Sequence, residues 1–172
     1  MGIHMSLNVE IDPDLQFDSQ ILVELLAYWR GLCAGRNMPA KDDVDPLNIP
    51  AHLWPYLELV DILRGDSMRL RWRLIGTHIT EAVERDSTGA YFDELYDPKD
   101  YETLAMPFTW AVTNGKPIRL FGSSGFIGKD WNKYEGVYLP LGTDGRNVDM
   151  ILGGVHYPME QNAVSKRDDP GV

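Results

Sequence analysis

The run Met68-Arg69-Leu70-Arg71-Trp72-Arg73-Leu74, followed by Ile75-Gly76-Thr77, decides the fold class. Successive side chains of a strand point to opposite faces. The alternation therefore predicts Met68, Leu70, Trp72 and Leu74 on one side and Arg69, Arg71 and Arg73 on a solvated side. Gly76 permits a sharp turn out of the strand, and Thr77 is a suitable N-cap for a short helix with Ile79 and Val83 on one face. Upstream, residues 56–62 read as a partner strand, joined through the turn Arg64-Gly65-Asp66-Ser67. That turn spells an adhesion tripeptide, but glycine and aspartate are ordinary turn residues.

Working toward the C-terminus, Gly89 suits a backbone angle that a Cβ resists. Asp97-Pro98 opens a longer helix through Leu104, Phe108 and Ala111, which stops at Asn114-Gly115. Residues 117–122, 134–141 and 148–156 read as three more strands, the last two joined by a tight hairpin at 142–146. Pro140 inside a strand indicates an edge position or a bulge. Residues 123–133 are glycine-rich and polar, and are expected to form a flexible loop.

Toward the N-terminus, the prolines of residues 37–50 forbid a long helix. Met38, Val44, Leu47 and Ile49 anchor this connector, and a helical turn is expected at 51–54. Ile21, Leu22, Leu25, Tyr28, Trp29 and Leu32 recur at helical spacing, with Glu24 and Arg30 outside the stripe. This amphipathic helix, capped by Asp18 or Ser19, must pack on its own sheet or on a second subunit. The expected organisation is a tag remnant and flexible N-terminus at 1–17, the helix at 18–35, a core domain at 36–157 and a disordered tail at 158–172. The fold class is α+β: a five-stranded antiparallel sheet with helices on one face, preceded by an N-terminal helix.

Composition narrows function. The chain has 172 residues and a formal net charge of −10, which opposes nucleic-acid binding. Its one cysteine, Cys33, cannot form an intrachain disulfide. No run approaches the roughly 20 apolar residues of a membrane span, and a cytoplasmic location is expected. His4, His52, His78 and His156 lack metal-ligand spacing. There is no nucleophile elbow, phosphate loop or dinucleotide fingerprint. Gly122-Ser123-Ser124-Gly125 has no lysine or helix after it and reads as loop. Acidic pairs such as Asp42-Asp43 and Asp168-Asp169 read as solvated. No catalytic or metal-binding residue is expected.

Several short phrases carry a resemblance. They are Tyr28-Trp29-Arg30, Arg36-Asn37-Met38-Pro39, Asp45-Pro46-Leu47-Asn48-Ile49-Pro50, Leu74-Ile75-Gly76-Thr77, Asp86-Ser87-Thr88-Gly89 and Tyr138-Leu139-Pro140-Leu141. In this order, with two strands, small helices and three strands between them, residues 19–157 resemble the PAS domain family. The match is to a stand-alone bacterial subfamily formerly known only as a domain of unknown function.

The resemblance implies a sensory or signalling module that binds a small ligand, a protein partner or both, and relays its state through the N-terminal helix or a homodimer interface. Leu22, Leu25, Tyr28 and Trp29 would form that interface. Trp72, Leu74, His78, Val83, Phe92, Phe108, Leu120 and Tyr138 would line the ligand pocket, if they are more than core. The cofactor is unknown. Cys33 lies far from the place of a flavin-reactive cysteine. The long helix carries no haem-ligating histidine, and His78 on the preceding helix is better read as structural. The alternative is a small cone-shaped isomerase or dehydratase with Asp61 or His78 as pocket base, although Asp61 reads as a strand-end surface residue. A ligand carrier without a signalling role is a third reading.

Overall fold

The computed structural model describes residues 8–124 and 129–158. Strands β1 (Val9–Asp12), β2 (Leu57–Arg64), β3 (Met68–Ile75), β4 (Ile118–Ser124), β5 (Lys129–Leu141) and β6 (Met150–His156) form one sheet. The sheet has six strands in the order β1-β4-β5-β6-β2-β3, and every pairing is antiparallel. Helices α1 (Gln20–Cys33), α2 (Thr77–Val83), α3 (Phe92–Leu95) and α4 (Pro98–Asn114) accompany it.

The α+β architecture stands as expected, with one added strand. Val9–Asp12, within the segment expected to hold no element, pairs with β4 through Val9↔Gly122 to Asp12↔Arg119. The expected loop at 123–133 is also corrected. Strand β4 continues to Ser124 and β5 begins at Lys129, so most of that segment extends the hairpin. His4 and the acidic pair Asp168-Asp169 lie outside the described residues.

Two faces of the sheet do different work. The inner face carries Glu58, Val60, Ile62, Trp72 and Tyr138 toward α2, α3 and α4, where Phe108 of α4 stacks on Tyr138 at 4.0 Å. The outer face carries Leu57, Leu59, Val137 and Leu152, and α1 lies across part of it. Leu22 and Leu25 of α1 are fully buried, and both reach so close to Gly154 that a Cβ there would meet them. The Trp29 indole N–H donates to the Pro140 carbonyl at 2.9 Å. Pairing with β4 ends at Tyr138, so Pro140 stands where β5 is locally an edge and needs no donor on that side.

A β-bulge changes the reading of β3. Leu59 pairs with Leu74 but Val60 pairs with Trp72, leaving Arg73 as the extra residue. Leu74 therefore turns to the outer face, and Ile75 takes the inner position that simple alternation gave to Leu74. The Asp61 expectation changes as well. Asp61 is buried, not exposed, and accepts from Arg71 at 2.7 Å and Arg73 at 3.5 Å. Arg69 pairs with Asp93 at 2.7 Å and lies over the Tyr91 ring. These arginines form an ion-paired face.

Local signals set the helix ends. The Asp97 carboxylate accepts the Lys99 and Asp100 amides, and Gly115 closes α4 in the left-handed region. Gly76, not Thr77, is the N-cap of α2, with an ordinary extended backbone. Glycine is required there because a Cβ would collide with the Pro55 carbonyl. The start of α1 is capped from outside: Glu135 accepts the Asp18 and Ser19 amides at 3.0 Å each. Ser19 Oγ instead meets His156 Nδ1 at 2.8 Å.

Candidate functional site

Alternation in β2 puts Glu58 on the same face as Val60 and Ile62, the inner and buried one. Its residue exposure is 2%. Across the β2–β6 ladder Glu58 faces Gly153. A Cβ on Gly153 would sit 2.6 Å from Glu58 Cγ and 2.8 Å from Oε1, so the glycine makes room for the carboxyl.

Glu58 lies in the wall of a cavity of about 70 Å³. Trp72 and Ile75 of β3, Ile79 and Val83 of α2, and Tyr134 and Tyr138 of β5 also line it. Tyr96, Val155 and Tyr157 contribute further wall, and Arg85 and Ser87 close the side toward solvent. Arg85 is held there by Ser87 Oγ at 2.8 Å and the Tyr96 hydroxyl at 3.1 Å.

The nearby Tyr138 hydroxyl favours the Glu58 carboxylate, but burial outweighs it and pushes the Glu58 pKa up to about 8. At neutral pH most of it is a neutral acid. Burial also raises the Tyr96, Tyr134 and Tyr138 hydroxyls. Of the residues lining the cavity, two have a buried polar atom without a hydrogen-bond partner among the described residues: Glu58 Oε1 and Trp72 Nε1. The Trp72 indole interacts with the Tyr96 hydroxyl, short of hydrogen-bonding geometry. Glu58 Oε1 is the acceptor of the two, and an unsatisfied buried acceptor costs stability.

The expected pocket residues divide. Trp72, Val83 and Tyr138 line the cavity. Phe92 stacks behind Trp72 at 4.3 Å, and Phe108 backs Tyr138. Leu120 is buried in the core beside Gly136. Leu74 is on the opposite face. His78 lies just outside: its Nε2 accepts the Tyr157 amide at 3.0 Å, and its ring packs on Tyr56 at 4.4 Å. Burial, then His156, lowers its pKa. Neither Asp61 nor His78 can serve as a pocket base from these positions. The expected interface residues are also redirected: Leu22, Leu25 and Trp29 are buried against the chain's own sheet, and Tyr28 is half-buried with its hydroxyl unpartnered among the described residues.

Two other hollows lie elsewhere. An open cleft of about 510 Å³ sits where α1 begins; there Arg119 bonds Glu135 at 2.9 Å and Asp12 at 3.3 Å, a network consumed in capping α1 and fastening β1. A groove of about 340 Å³ on the outer face is lined mainly by apolar residues, including Trp54, Leu59, Leu74 and Met150. Among the described residues there is no cluster of three or more histidine, cysteine or acidic side chains able to hold a metal ion. No described helix is long and apolar enough to cross a membrane.

Comparison with known proteins adds two findings. Over 113 residues the chain is 26% identical to a tRNA sulfurtransferase of Thermoplasma volcanium and to one of Thermoplasma acidophilum. Each match covers 63% of this chain but 21% of the relative, so the chain spans about a fifth of the length of these curated proteins. The PAS domain family model matches residues 17–156, which takes in α1, the sheet from β2 to β6 and every residue lining the Glu58 cavity except Tyr157. With fold, element order and family match in agreement, the chain belongs to the PAS domain family.

Proposed function

We propose that this protein is a sensory and signalling module, not an enzyme, which takes a small molecule into the Glu58 cavity and passes its state to a protein partner. The observation that carries the reading is Glu58 Oε1, a buried polar atom with no partner among the described residues at the wall of a cavity. Ligand sites are apolar hollows with a few convergent polar groups, and this cavity has that composition.

A relay is built into the sheet. Gly153 abuts Glu58 on the inner face, and its neighbour Gly154 abuts Leu22 and Leu25 of α1 on the outer face. A shift of the Glu58 side chain is thus one sheet thickness from the helix. Partner or homodimer contact would use the outward side of α1, where Val23 is exposed, together with the apolar outer groove.

The test is NMR titration of the full chain with a small-fragment library, read at cavity residues and at α1 amides. Saturable shifts at Trp72 and Tyr138 that extend to residues 20–33 support the proposal. Ligand shifts confined to the cavity would leave a carrier without relay. No cavity response to any fragment would sink the sensor reading. Turnover of a bound fragment at a rate that Glu58→Gln abolishes would instead support an enzyme, with Glu58 as its base.

A further inference from the structure

We infer that the Glu58 cavity selects a small primary ammonium compound, whose charged head pairs with Glu58 Oε1 against the surrounding aromatic rings. This rests on the ligand-pocket reading above and names its ligand class.

The unpartnered oxygen belongs to a glutamate in the cavity wall, and Trp72, Tyr96, Tyr134, Tyr138 and Tyr157 line the same cavity. Aromatic faces favour a cation, most of all one removed from water. The other charged group lining the cavity, Arg85, is exposed and tied to Ser87 and Tyr96 at the solvent side. Size limits the ligand. A cavity of about 70 Å³ accommodates a few non-hydrogen atoms, given that a water in the liquid occupies about 30 Å³.

Proton balance follows from the carboxyl. Near neutral pH Glu58 carries a proton, and an arriving ammonium forms its ion pair only with the carboxylate. Binding therefore releases that proton to solvent, and the ammonium keeps its own. Affinity should rise with pH until Glu58 is ionised in the free protein, at about 8. The groups facing Glu58 do not blur this window. Tyr96, Tyr134 and Tyr138 are raised by burial, and His78 behind Tyr157 is lowered.

The experiment titrates ethylammonium, ethanol and acetate into the full chain at pH 6.5 and 8.5. It reads NMR shifts of the cavity residues and the Glu58 carboxyl carbon. Saturable ethylammonium binding is expected, roughly 20-fold tighter at the higher pH, with the carboxyl carbon moving to its ionised position. Glu58→Gln should weaken it by roughly 30-fold or more and remove the pH dependence. Its thermal melt shows whether the fold is kept. Tyr138→Phe, which keeps the carboxyl, should still bind. Ethanol binding as tightly as ethylammonium, or undiminished binding to folded Glu58→Gln, would overturn the ligand class while leaving the pocket. A cavity holding water alone in crystals soaked with each compound would overturn both.

Discussion

Glu58 holds its proton more tightly in the folded chain than in the unfolded one. Its pKa rises from 4.5 to about 8. Between those values the native state binds more protons than the unfolded state, so stability from this group is greatest below pH 4.5, falls as pH rises, and levels off above about 8. The loss is on the order of 5 kcal/mol. Glu58→Gln should remove this slope and make the protein more stable than wild type at pH 8, as measured by urea unfolding across pH. An unchanged slope would mean the carboxyl is already ionised at neutral pH. Gly153→Ala is expected to cost about 1–3 kcal/mol, because its Cβ meets Glu58; the measurement is again the urea midpoint. At this scale the sequence was partly legible. Trp72, Val83 and Tyr138 could be read from strand and helix periodicity. Glu58 carried a readable signal too, since it shares a strand face with Val60 and Ile62, but a lone glutamate is ordinarily a surface residue. The aromatic wall from Tyr96 and Tyr157 gave no local signal, because both lie outside regular elements.

Helix α1 is fixed at both ends by contacts distant in sequence. Glu135 holds the Asp18 and Ser19 amides that lead into it, and the Trp29 indole is bonded to Pro140. Glu135→Ala should cost about 1–2 kcal/mol, the range for losing an N-cap. It should also speed hydrogen exchange at the start of α1 well before the sheet responds. Equal exchange in both variants would show that α1 is held by packing alone. The periodicity of residues 21–32 identified the helix and its apolar stripe, yet it could not tell which surface the stripe would cover. That choice is tertiary: Gly154 and Val137 leave a shallow seat on the outer face, into which Leu22 and Leu25 fit. Strand β1 was missed for a related reason. Its four residues have no alternation that stands out, and they are strand because β4 offers an open edge.

Across the whole molecule, the chain folds as two antiparallel groups, β2–β3 and β1–β4–β5–β6, joined by the β2–β6 ladder. Glu58 stands on that seam, so its environment depends on both groups and on the helices between them. Removing residues 20–33 should therefore do more than trim a helix. It would uncover Leu57, Val137 and Leu152, and the protein should self-associate or lose most of its stability, as size-exclusion chromatography and thermal melting would show. A monomeric, equally stable variant would contradict the packing role of α1. The general architecture was legible because strand pairs, turn residues and helix stops all agree with one another. The cavity was not, because it arises where side chains from separate elements fail to fill space.

The bulge in β3 makes Arg73 dispensable to the pattern of the strand. Arg73 has no partner across the ladder, and the side chains on either side of it, Trp72 and Leu74, already point to opposite faces. A chain one residue shorter at this point would read Trp72, Leu74, Ile75 as inward, outward, inward, which is plain strand alternation. Loss of Arg73 would leave every core side chain on its present face and give up one long contact to Asp61. The strand thus carries a spare link: its length can change by one there without altering what it buries, whereas a residue removed from β2 between Leu57 and Ile62 would exchange the two faces of the sheet.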